Sequence, residues 1–311
     1  MWALIVVSQA VCAEQYKGKK VLFINSYHAG YEWSDGIEKG LESGFKGTGI
    51  ELEKFYMDTK RKRAKAEIIA AAKQAIEKIE SFKPDLVITA DDNAAKYVIV
   101  PLRKNTTLPF IFTGVNWDAT DYGFPAENVT GMVETALIKP IVKNLKEYAQ
   151  GETIGLLSID AISGHKNAKH FERQLGHPFE RIYYVKNFAK WKESYIKLQQ
   201  EVDMMILENP KGISGWDNHL GQQFVEQHTR IPSGTTHVWL SPYALLTIAK
   251  IPQEQGQWAA QTALKILNGA KPADIAMVKN KKGKLFINFR LAKPQGIVFK
   301  PALIKTATIL R

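Results

Sequence analysis

The chain has 311 residues, 45% of them hydrophobic and 23% charged, and it carries a formal net charge of +11. This length allows two ordinary domains, and this composition excludes a low-complexity chain. The basic residues are spread along the sequence, and the densest run, Lys60 to Lys65, leads into a helical pattern. No stacking-aromatic motif or zinc-finger spacing accompanies this run. We therefore interpret it as the solvated start of a helix and expect no nucleic-acid partner.

The first residues are typical of an export signal. Residues 2–11 are mostly apolar but too few to span a membrane, and Ala13 is a small residue of the kind found at a cleavage site. We interpret residues 1–13 as a signal peptide, which predicts a periplasmic or otherwise extracytoplasmic protein. Lipidation of Cys12 is the alternative, and it would anchor the chain. Cys12 is the only cysteine, so the mature chain would have none and thiol catalysis is excluded.

Strands and helices alternate in the first part of the sequence. Unbroken apolar runs predict buried strands, and apolar residues at helical spacing predict helices. Asp91, Asp92 and Asn93 are suited to cap the third helix, and residues 114–118 are predicted as a loop. The predicted elements are the strand Lys20–Asn25, the helix Ser34–Phe45, the strand Ile50–Tyr56, the helix Ala64–Phe82, the strand Asp85–Ala90, the helix Ala94–Leu102 and the strand Pro109–Thr113.

The same alternation then starts again. Residues 129–131 separate the two series, and Gly131 suits a hinge. The predicted elements are helices at 140–148, 164–175, 191–201, 217–227, 252–267 and 301–310, and strands at 153–158, 181–185, 203–207, 236–240 and 285–288. Two successive series of this kind predict an α/β fold with two doubly wound parallel-sheet lobes and right-handed crossovers.

Polar and aromatic residues follow the predicted strands in both lobes. In sheets of this kind the ligand crevice lies outside the carboxyl ends of the strands, so we predict a binding site there. The predicted ligand-binding residues of the first lobe are Ser26, Tyr27, His28, Tyr31, Trp33, Asp91, Asp92, Asn116 and Trp117. Those of the second lobe are Asp160, Glu208, Asn209, Trp216 and Tyr243.

Most of these residues also have a structural interpretation. Ser26 could hold an anion with nearby backbone N–H groups, or it could be a turn serine bonded to its own backbone. His28 could contact the ligand or pack against Tyr27. Tyr31 and Trp33 could stack on a planar or sugar-like ligand, although aromatic residues at this density more often fill a core.

The Asp91–Asp92 pair also has two interpretations. A carboxylate pair could serve acid–base chemistry or hold a metal ion, but a helix cap with one hydrogen bond to a ligand is the simpler account. An aromatic cleft with carboxylates and amides suits a polar organic ligand that carries an amine or hydroxyls. The positive net charge of the chain favours an anion instead.

Six segments, taken in order, span nearly the whole chain after residue 20. They are VLFINSYHAGYEWSDGI, KPDLVITADDNAAKYV, LPFIFTGVN, NVTGMVE, IPQEQGQWAAQTALKILNGAKPADI and KLFINFRLAKPQGIVFKPALI. Together they resemble the substrate-binding proteins of ABC transporters, in the subgroup that includes tryptophan- and tyrosine-type components. The last two segments are the most specific. Asn116 and Trp117 stand where the family has small and acidic residues, so the ligand preference is not transferred.

The resemblance implies the periplasmic-binding type I fold, in which three crossing segments form a hinge between two lobes and the ligand binds between them. We expect residues 17–134 and 248–275 in the first lobe, and 135–247 and 276–311 in the second. The expected partners are a small-molecule ligand and an ABC permease, and the expected state is a monomer. Because the same module occurs as an extracellular sensor, an input protein for a membrane kinase or cyclase is the alternative.

Enzyme motifs are missing from the sequence. It contains no G-x-S-x-G elbow, no H-E-x-x-H, no P-loop and no G-x-G-x-x-G after a strand. We therefore expect a binding protein without catalytic residues, metal or cofactor. A hydrolase or lyase that uses Asp91 or Asp92 with His28 is the least favoured hypothesis.

Overall fold

The computed structural model describes residues 15–210 and 212–311, so the predicted signal peptide and Cys12 lie outside the described residues. The chain divides into two compact units. The first unit comprises the residues up to Thr135 together with Ile251–Asn280, and the second comprises Ala136–Lys250 and Lys281–Arg311. The chain therefore passes from one unit to the other three times. Within the described ranges, no helix is both long and apolar enough to cross a bilayer.

The first unit is built on a six-stranded parallel sheet in the order β11-β5-β4-β3-β1-β2, with numbers that follow the whole chain. Its strands are β1 (Lys20–Asn25), β2 (Glu51–Tyr56), β3 (Leu86–Ala90), β4 (Phe110–Asn116), β5 (Val129–Glu134) and β11 (Val278–Lys279). Its helices are α1 (Glu32–Phe45), α2 (Lys65–Phe82), α3 (Asp91–Ala94), a π-helix (Ala95–Ile99), α4 (Val100–Leu102) and α9 (Pro252–Leu267).

Helices cover both faces of this sheet, which explains the unbroken apolar runs of β1 and β3. Successive side chains of a strand point to opposite faces. Val21 and Phe23 accordingly belong to a core cluster with residues of α1 and α9, whereas Leu22 and Ile24 belong to a second cluster with residues of α2 and the π-helix. All four side chains are fully buried.

Helices α1 and α9 pack so closely that their backbones are in contact. Gly36, Gly40 and Gly44 recur every four residues and so lie on one face of α1. A Cβ atom built at Gly40 would lie 2.4 Å from the Gln253 carbonyl oxygen, and one at Gly256 would lie 1.9 Å from the Ile37 carbonyl oxygen. Real Cβ atoms do not approach this closely, so these glycines are required by the contact between the two helices.

The second unit has a seven-stranded sheet in the order β13-β12-β10-β9-β8-β6-β7, parallel except where β10 meets β12. Its strands are β6 (Ile154–Ile159), β7 (Arg181–Val185), β8 (Met204–Leu207), β9 (Ser233–Thr235), β10 (Leu246–Lys250), β12 (Gly283–Asn288) and β13 (Thr308–Leu310). Its helices are α5 (Ile138–Leu145), α6 (Ile162–Leu175), α7 (Phe188–Leu198), α8 (Asn218–His228), α10 (Phe289–Ala292) and α11 (Pro301–Thr306).

Two glycine-based predictions in the first unit are wrong. Residues 114–116 belong to β4 and are not a loop, because Gly114 takes a φ of 66° at a bulge that lets β4 continue to pair with β5. Gly131 is not in a hinge: it lies inside β5, where a Cβ atom would be 2.4 Å from the ring of Phe112. The sequence signal of Gly131 reflects close packing of an aromatic ring on the strand.

The strand boundaries late in the chain also differ from the predictions. Residues 238–243 form a 3₁₀-helix, so the strand predicted at 236–240 is replaced by β9 before it and by β10 after it. The last predicted helix ends at Thr306, and β13 follows and pairs with β12. Pairing of β11 with β5 extends the first unit to Asn280, five residues beyond the predicted boundary at 275.

Candidate functional site

The carboxyl end of β1 is a buried polar corner formed by Asn25 and Ser26, both of them fully buried. The Ser26 hydroxyl donates to the Ala90 carbonyl oxygen at 2.6 Å and accepts from the Ala94 backbone N–H at 2.8 Å. Oδ1 of Asn25 accepts from the Tyr27 backbone N–H, but its Nδ2 has no hydrogen-bond partner among the described residues. The Ser26 hydroxyl is therefore engaged by backbone groups at the end of β3 and just beyond it, and Asn25, which we did not predict, offers a buried donor.

Two tyrosines form an aromatic corner beside β1. The rings of Tyr27 and Tyr31 lie 5.1 Å apart at 76°, an edge-to-face arrangement. The His28 ring lies 5.9 Å from Tyr31, and its Nδ1 donates to the Ala29 carbonyl oxygen at 2.9 Å. The Lys60 ammonium lies over both tyrosine rings, 4.3 Å from the Tyr27 centroid and 5.1 Å from the Tyr31 centroid. The corner therefore already holds one positive charge.

Asp91 follows β3 in a strained backbone conformation. Its φ is +70°, a left-handed value that non-glycine residues seldom adopt, and its side chain is only 2% exposed. The π-helix begins four residues later. Strained residues and π-helical turns both concentrate at functional sites. The predicted helix cap is wrong, because α3 begins at Asp91 itself and no side chain caps it.

The environment of Asp91 disfavours its charged form. Burial raises the pKa of this carboxyl well above its usual range, and the nearby negative charges of Glu134 and Asp92 raise it further. The charge of Lys60 and a hydrogen bond from the Trp33 indole lower this pKa but do not outweigh these causes. Oδ2 of Asp91 has no hydrogen bond of normal geometry among the described residues. A positively charged group beside Oδ2 would stabilise the ionised carboxylate.

Asp92 joins the ends of neighbouring strands. Its Oδ2 accepts from Asn116 Nδ2 at 2.6 Å, and its Oδ1 accepts from the Tyr122 hydroxyl at 2.8 Å. Trp117 follows β4 with a φ of +65°, and its backbone N–H donates to the Glu134 carbonyl oxygen at 3.0 Å. The predicted residues Asp92, Asn116 and Trp117 are thus brought to one edge of the sheet, together with Glu134.

Two further residues of this edge were missed by the sequence-based prediction. Gln255, in the first turn of α9, is fully buried, and its Oε1 accepts from the Gly114 backbone N–H at 3.1 Å. Its Nε2 has no partner among the residues that the structure describes. Glu134 is the buried last residue of β5, and burial, Asp91, Asp92 and Glu134 together raise the pKa of Tyr27. A signal for Gln255 was present, since it lies in the distinctive EQG segment.

Asp160 of the second unit is paired with basic groups of its own chain. It lies 3.0 Å from His165 Nε2 and 3.3 Å from Lys186 Nζ, and these two hydrogen-bonding partners lower its pKa. The His165 ring stacks on Tyr184 with centroids 3.8 Å apart. Asp160 also lines a cavity of about 520 Å³ with His165 and neighbouring residues of α6. Its charge is thus largely compensated within the unit.

Glu208 and Asn209 follow β8, and the backbone of Asn209 bonds to the carboxylate of Glu208. Glu208 is buried, and its Oε1 accepts from the Asn209 backbone N–H at 2.9 Å and from His237 Nε2 at 2.8 Å. His237, which we did not predict, comes from the segment after β9 and remains partly exposed. This pair is the carboxyl-edge group of the second unit that most closely parallels Asp91, although its oxygen is already bonded.

Trp216 and Tyr243 meet in an aromatic cluster. Their ring centroids lie 5.5 Å apart, and Trp216 also packs edge to face against Phe188 and Trp191. Tyr243 is buried, and its hydroxyl donates to the Asn218 carbonyl oxygen at 2.8 Å. Both rings line a cavity of about 680 Å³ that also includes Trp239 and His219. Most of this packing is that of a hydrophobic core, and only Trp216 keeps part of its ring exposed toward the cavity.

No group of three His, Cys, Asp or Glu side chains within residues 15–210 and 212–311 is arranged to hold a metal ion. Asp92 of the first unit instead contacts the amide of Asn116 and the hydroxyl of Tyr122. This arrangement suits recognition of an organic ligand through hydrogen bonds and ring contacts.

The family described as ABC transporter substrate binding protein matches residues 26–310. The chain belongs to this family. Family membership and the two sheets agree with the expected periplasmic-binding type I fold with two lobes. Proteins of this family bind small molecules for ABC transporters outside the cytoplasm and are binding proteins rather than enzymes. The comparison with curated proteins gave no match.

Solved structures with the same fold cover most of the chain at low sequence identity. The ligand-free, open structure of a substrate-binding protein with adhesive properties from Clostridium difficile is 15% identical, with a TM-score of 0.70 over 94% of this chain and 99% of that chain. An ABC domain in complex with L-Trp from Streptococcus pneumonia is 19% identical, with a TM-score of 0.55 and the same coverage. A periplasmic ribose ABC transporter protein from Conexibacter woesei is 13% identical, with a TM-score of 0.57 over 94% of this chain and 98% of that chain. At these identities the likeness concerns the fold alone.

Proposed function

We propose that this protein is an exported solute-binding protein that captures a small polar organic ligand, aromatic or amino-acid-like, for an ABC importer. In this proposal it acts as a monomer, binds no nucleic acid, and delivers the ligand to the permease. The carboxyl edge of the first unit provides the principal contacts in this proposal.

One observation carries the proposal: three deeply buried side chains at one sheet edge each keep a polar atom without a normal hydrogen bond. They are Asn25 Nδ2, Asp91 Oδ2 and Gln255 Nε2, and their side chains are at most 2% exposed. Folded proteins rarely leave such atoms unbonded, because each one lowers the stability of the fold. A ligand that supplies the missing partners accounts for their retention. The rings of Tyr27, Tyr31 and Trp33 lie half-buried at the same edge.

Native mass spectrometry on freshly purified protein tests this proposal most directly. We expect an additional mass of a few hundred daltons or less, and calorimetry with amino acids, purines and sugars should find a ligand with a Kd in the micromolar range. An empty protein that also fails to bind any member of the panel would contradict the proposed function.

A matched pair of tyrosine variants tests the location of the site. Tyr27→Phe keeps the ring but removes the hydroxyl that lies near three carboxylates. We expect it to weaken binding of the co-purified ligand about tenfold by calorimetry, the usual effect of losing one hydrogen bond to a charged group. Tyr97→Phe is the control, because Tyr97 packs against the core cluster on the α2 side of the sheet. Equal affinities of the two variants for the ligand would show that the ligand does not bind at this edge.

A further inference from the structure

Lys60 is held at the ligand-binding edge by the backbone that precedes it. The Asp58 backbone N–H donates to the Tyr27 carbonyl oxygen at 2.9 Å. The Thr59 N–H and hydroxyl both donate to the Ser26 carbonyl oxygen, at 2.9 and 2.7 Å. Three hydrogen bonds thus fix residues 58 and 59 against the end of β1. The backbone from which the Lys60 side chain extends is consequently fixed beside the two tyrosines.

The Lys60 ammonium occupies a position that suits any organic cation. Both ring centroids lie within the roughly 6 Å over which a cation is attracted to an aromatic face. Asp91 lies near enough for the charge of Lys60 to oppose the rise in the pKa of Asp91. Yet Asp91 Oδ2 makes no normal hydrogen bond in the described structure. Lys60 therefore fills the aromatic corner without completing the contacts of the buried carboxyl.

Charge at this edge favours a cationic ligand over an anionic one. Three carboxylates, those of Asp91, Asp92 and Glu134, lie within electrostatic reach of the Tyr27 hydroxyl. Lys60 is the cation that lies over the ring of Tyr27. An anion placed here would meet the negative charges of Asp92 and Glu134, whereas a second cation would compete with Lys60 for the same rings.

We infer that the ligand carries a positively charged nitrogen that takes the place of the Lys60 ammonium over the rings of Tyr27 and Tyr31. Lys60 then competes with the ligand for the two aromatic rings. This competition lowers the affinity for every cation, so weakly binding cations are excluded. This inference rests on the proposed function and specifies the ligand class for the same site. It differs from a role for Lys60 as a direct contact to an anionic ligand, for which removal of the lysine would weaken binding.

Lys60→Met tests the inference, because methionine keeps an unbranched apolar stem but removes the charge. The probes are tryptamine and choline, with indole-3-propionate and 3,3-dimethyl-1-butanol as ring- and shape-matched compounds without a positive charge. We expect Lys60→Met to bind at least one of the two cations about threefold to tenfold more tightly than the natural protein does, by calorimetry at low salt. Neither matched compound should bind. Lys62→Met, at an exposed neighbouring lysine, is the control and should leave the affinity unchanged.

Several outcomes would overturn the inference. These are weaker or unchanged cation binding by Lys60→Met, binding of indole-3-propionate comparable to that of tryptamine, or failure of both cations to bind either protein. Native mass spectrometry separates this failure from failure of the proposed function. A co-purified ligand without a basic nitrogen would refute the displacement of Lys60 but leave solute binding intact, whereas absence of any ligand would count against both.

Discussion

Replacing Asp91 with asparagine is expected to make the protein more stable at neutral and alkaline pH, by on the order of 1–3 kcal/mol in the free energy of unfolding. The carboxyl of Asp91 is buried, and burial together with Glu134 and Asp92 raises its pKa. Asparagine is neutral, has nearly the same shape, and tolerates the left-handed backbone found here. The substitution therefore removes a buried acid without creating a cavity.

The pH dependence of this effect follows from the direction of the pKa shift. In the unfolded chain the carboxyl titrates near its ordinary pKa of about 3.9, but in the folded protein it keeps its proton to higher pH. Between the two pKa values the folded state binds more protons, so the stability of the natural protein falls as the pH rises. The advantage of Asp91→Asn should thus be absent below about pH 4 and grow above it.

Urea denaturation of both proteins at several pH values measures this difference. Asp85→Asn is the matched control, since it lies just before the same strand but has the opposite shift. Burial alone would raise the pKa of Asp85, but the Lys20 backbone N–H and the Lys19 ammonium outweigh burial and lower it. Asp85→Asn should therefore lose stability at neutral pH and lose little at low pH. A stability loss in Asp91→Asn at pH 8 would show that the buried carboxylate is satisfied within the fold.

Gly256→Ala is expected to destabilise the first unit by about 3 kcal/mol, the upper part of the usual range for overpacking. The added Cβ would lie 1.9 Å from the Ile37 carbonyl oxygen and 2.7 Å from the Leu41 backbone nitrogen. Both are backbone atoms of α1, so no side-chain rotation can relieve the clash. Helix α9 would have to move away from α1, and its apolar contacts with the sheet would loosen.

Thermal and urea unfolding of Gly256→Ala should be compared with those of Gln261→Ala. Gln261 lies on the exposed face of the same helix, so its replacement should change the free energy of unfolding by no more than about 0.5 kcal/mol. Gly40→Ala approaches the same contact from α1, where its Cβ would lie 2.4 Å from the Gln253 carbonyl oxygen. Similar stabilities for Gly256→Ala and Gln261→Ala would mean that the two helices are not in backbone contact.

Local sequence patterns predicted the architecture well. Buried parallel strands such as β1 and β3 appear as short unbroken apolar runs, and their ends mark the edge where ligands bind. This logic placed Tyr27, Asp91, Asp92 and Asn116 at the ends of strands, and in the structure they lie there. It misjudged Gly131, because a glycine that separates two halves of a sequence and a glycine under an aromatic ring have the same local signature.

The site residues that could not be predicted from the sequence are those whose contacts join distant parts of the chain. Gln255 lies 141 residues from the Gly114 N–H to which it bonds, and no periodicity predicts that contact. From the sequence, Asn25 was only the last residue of a predicted strand, and Lys60 was only one member of a basic run. Neither pattern indicated the side-chain contacts that these residues make. Their roles depend on the turn that joins β2 to α2 and on the pairing order of the strands.

The discontinuous first unit also determines when the protein can fold. Its first 135 residues emerge from the ribosome well before α9, which belongs to the same unit. Until residue 267 has been made, the grooved glycine face of α1 and the apolar residues beneath it stay uncovered. A nascent chain in this condition remains open to chaperones. For the same reason, a fragment that stops at Thr135 should be insoluble, whereas a circular permutation that places α9 ahead of β1 should mature earlier.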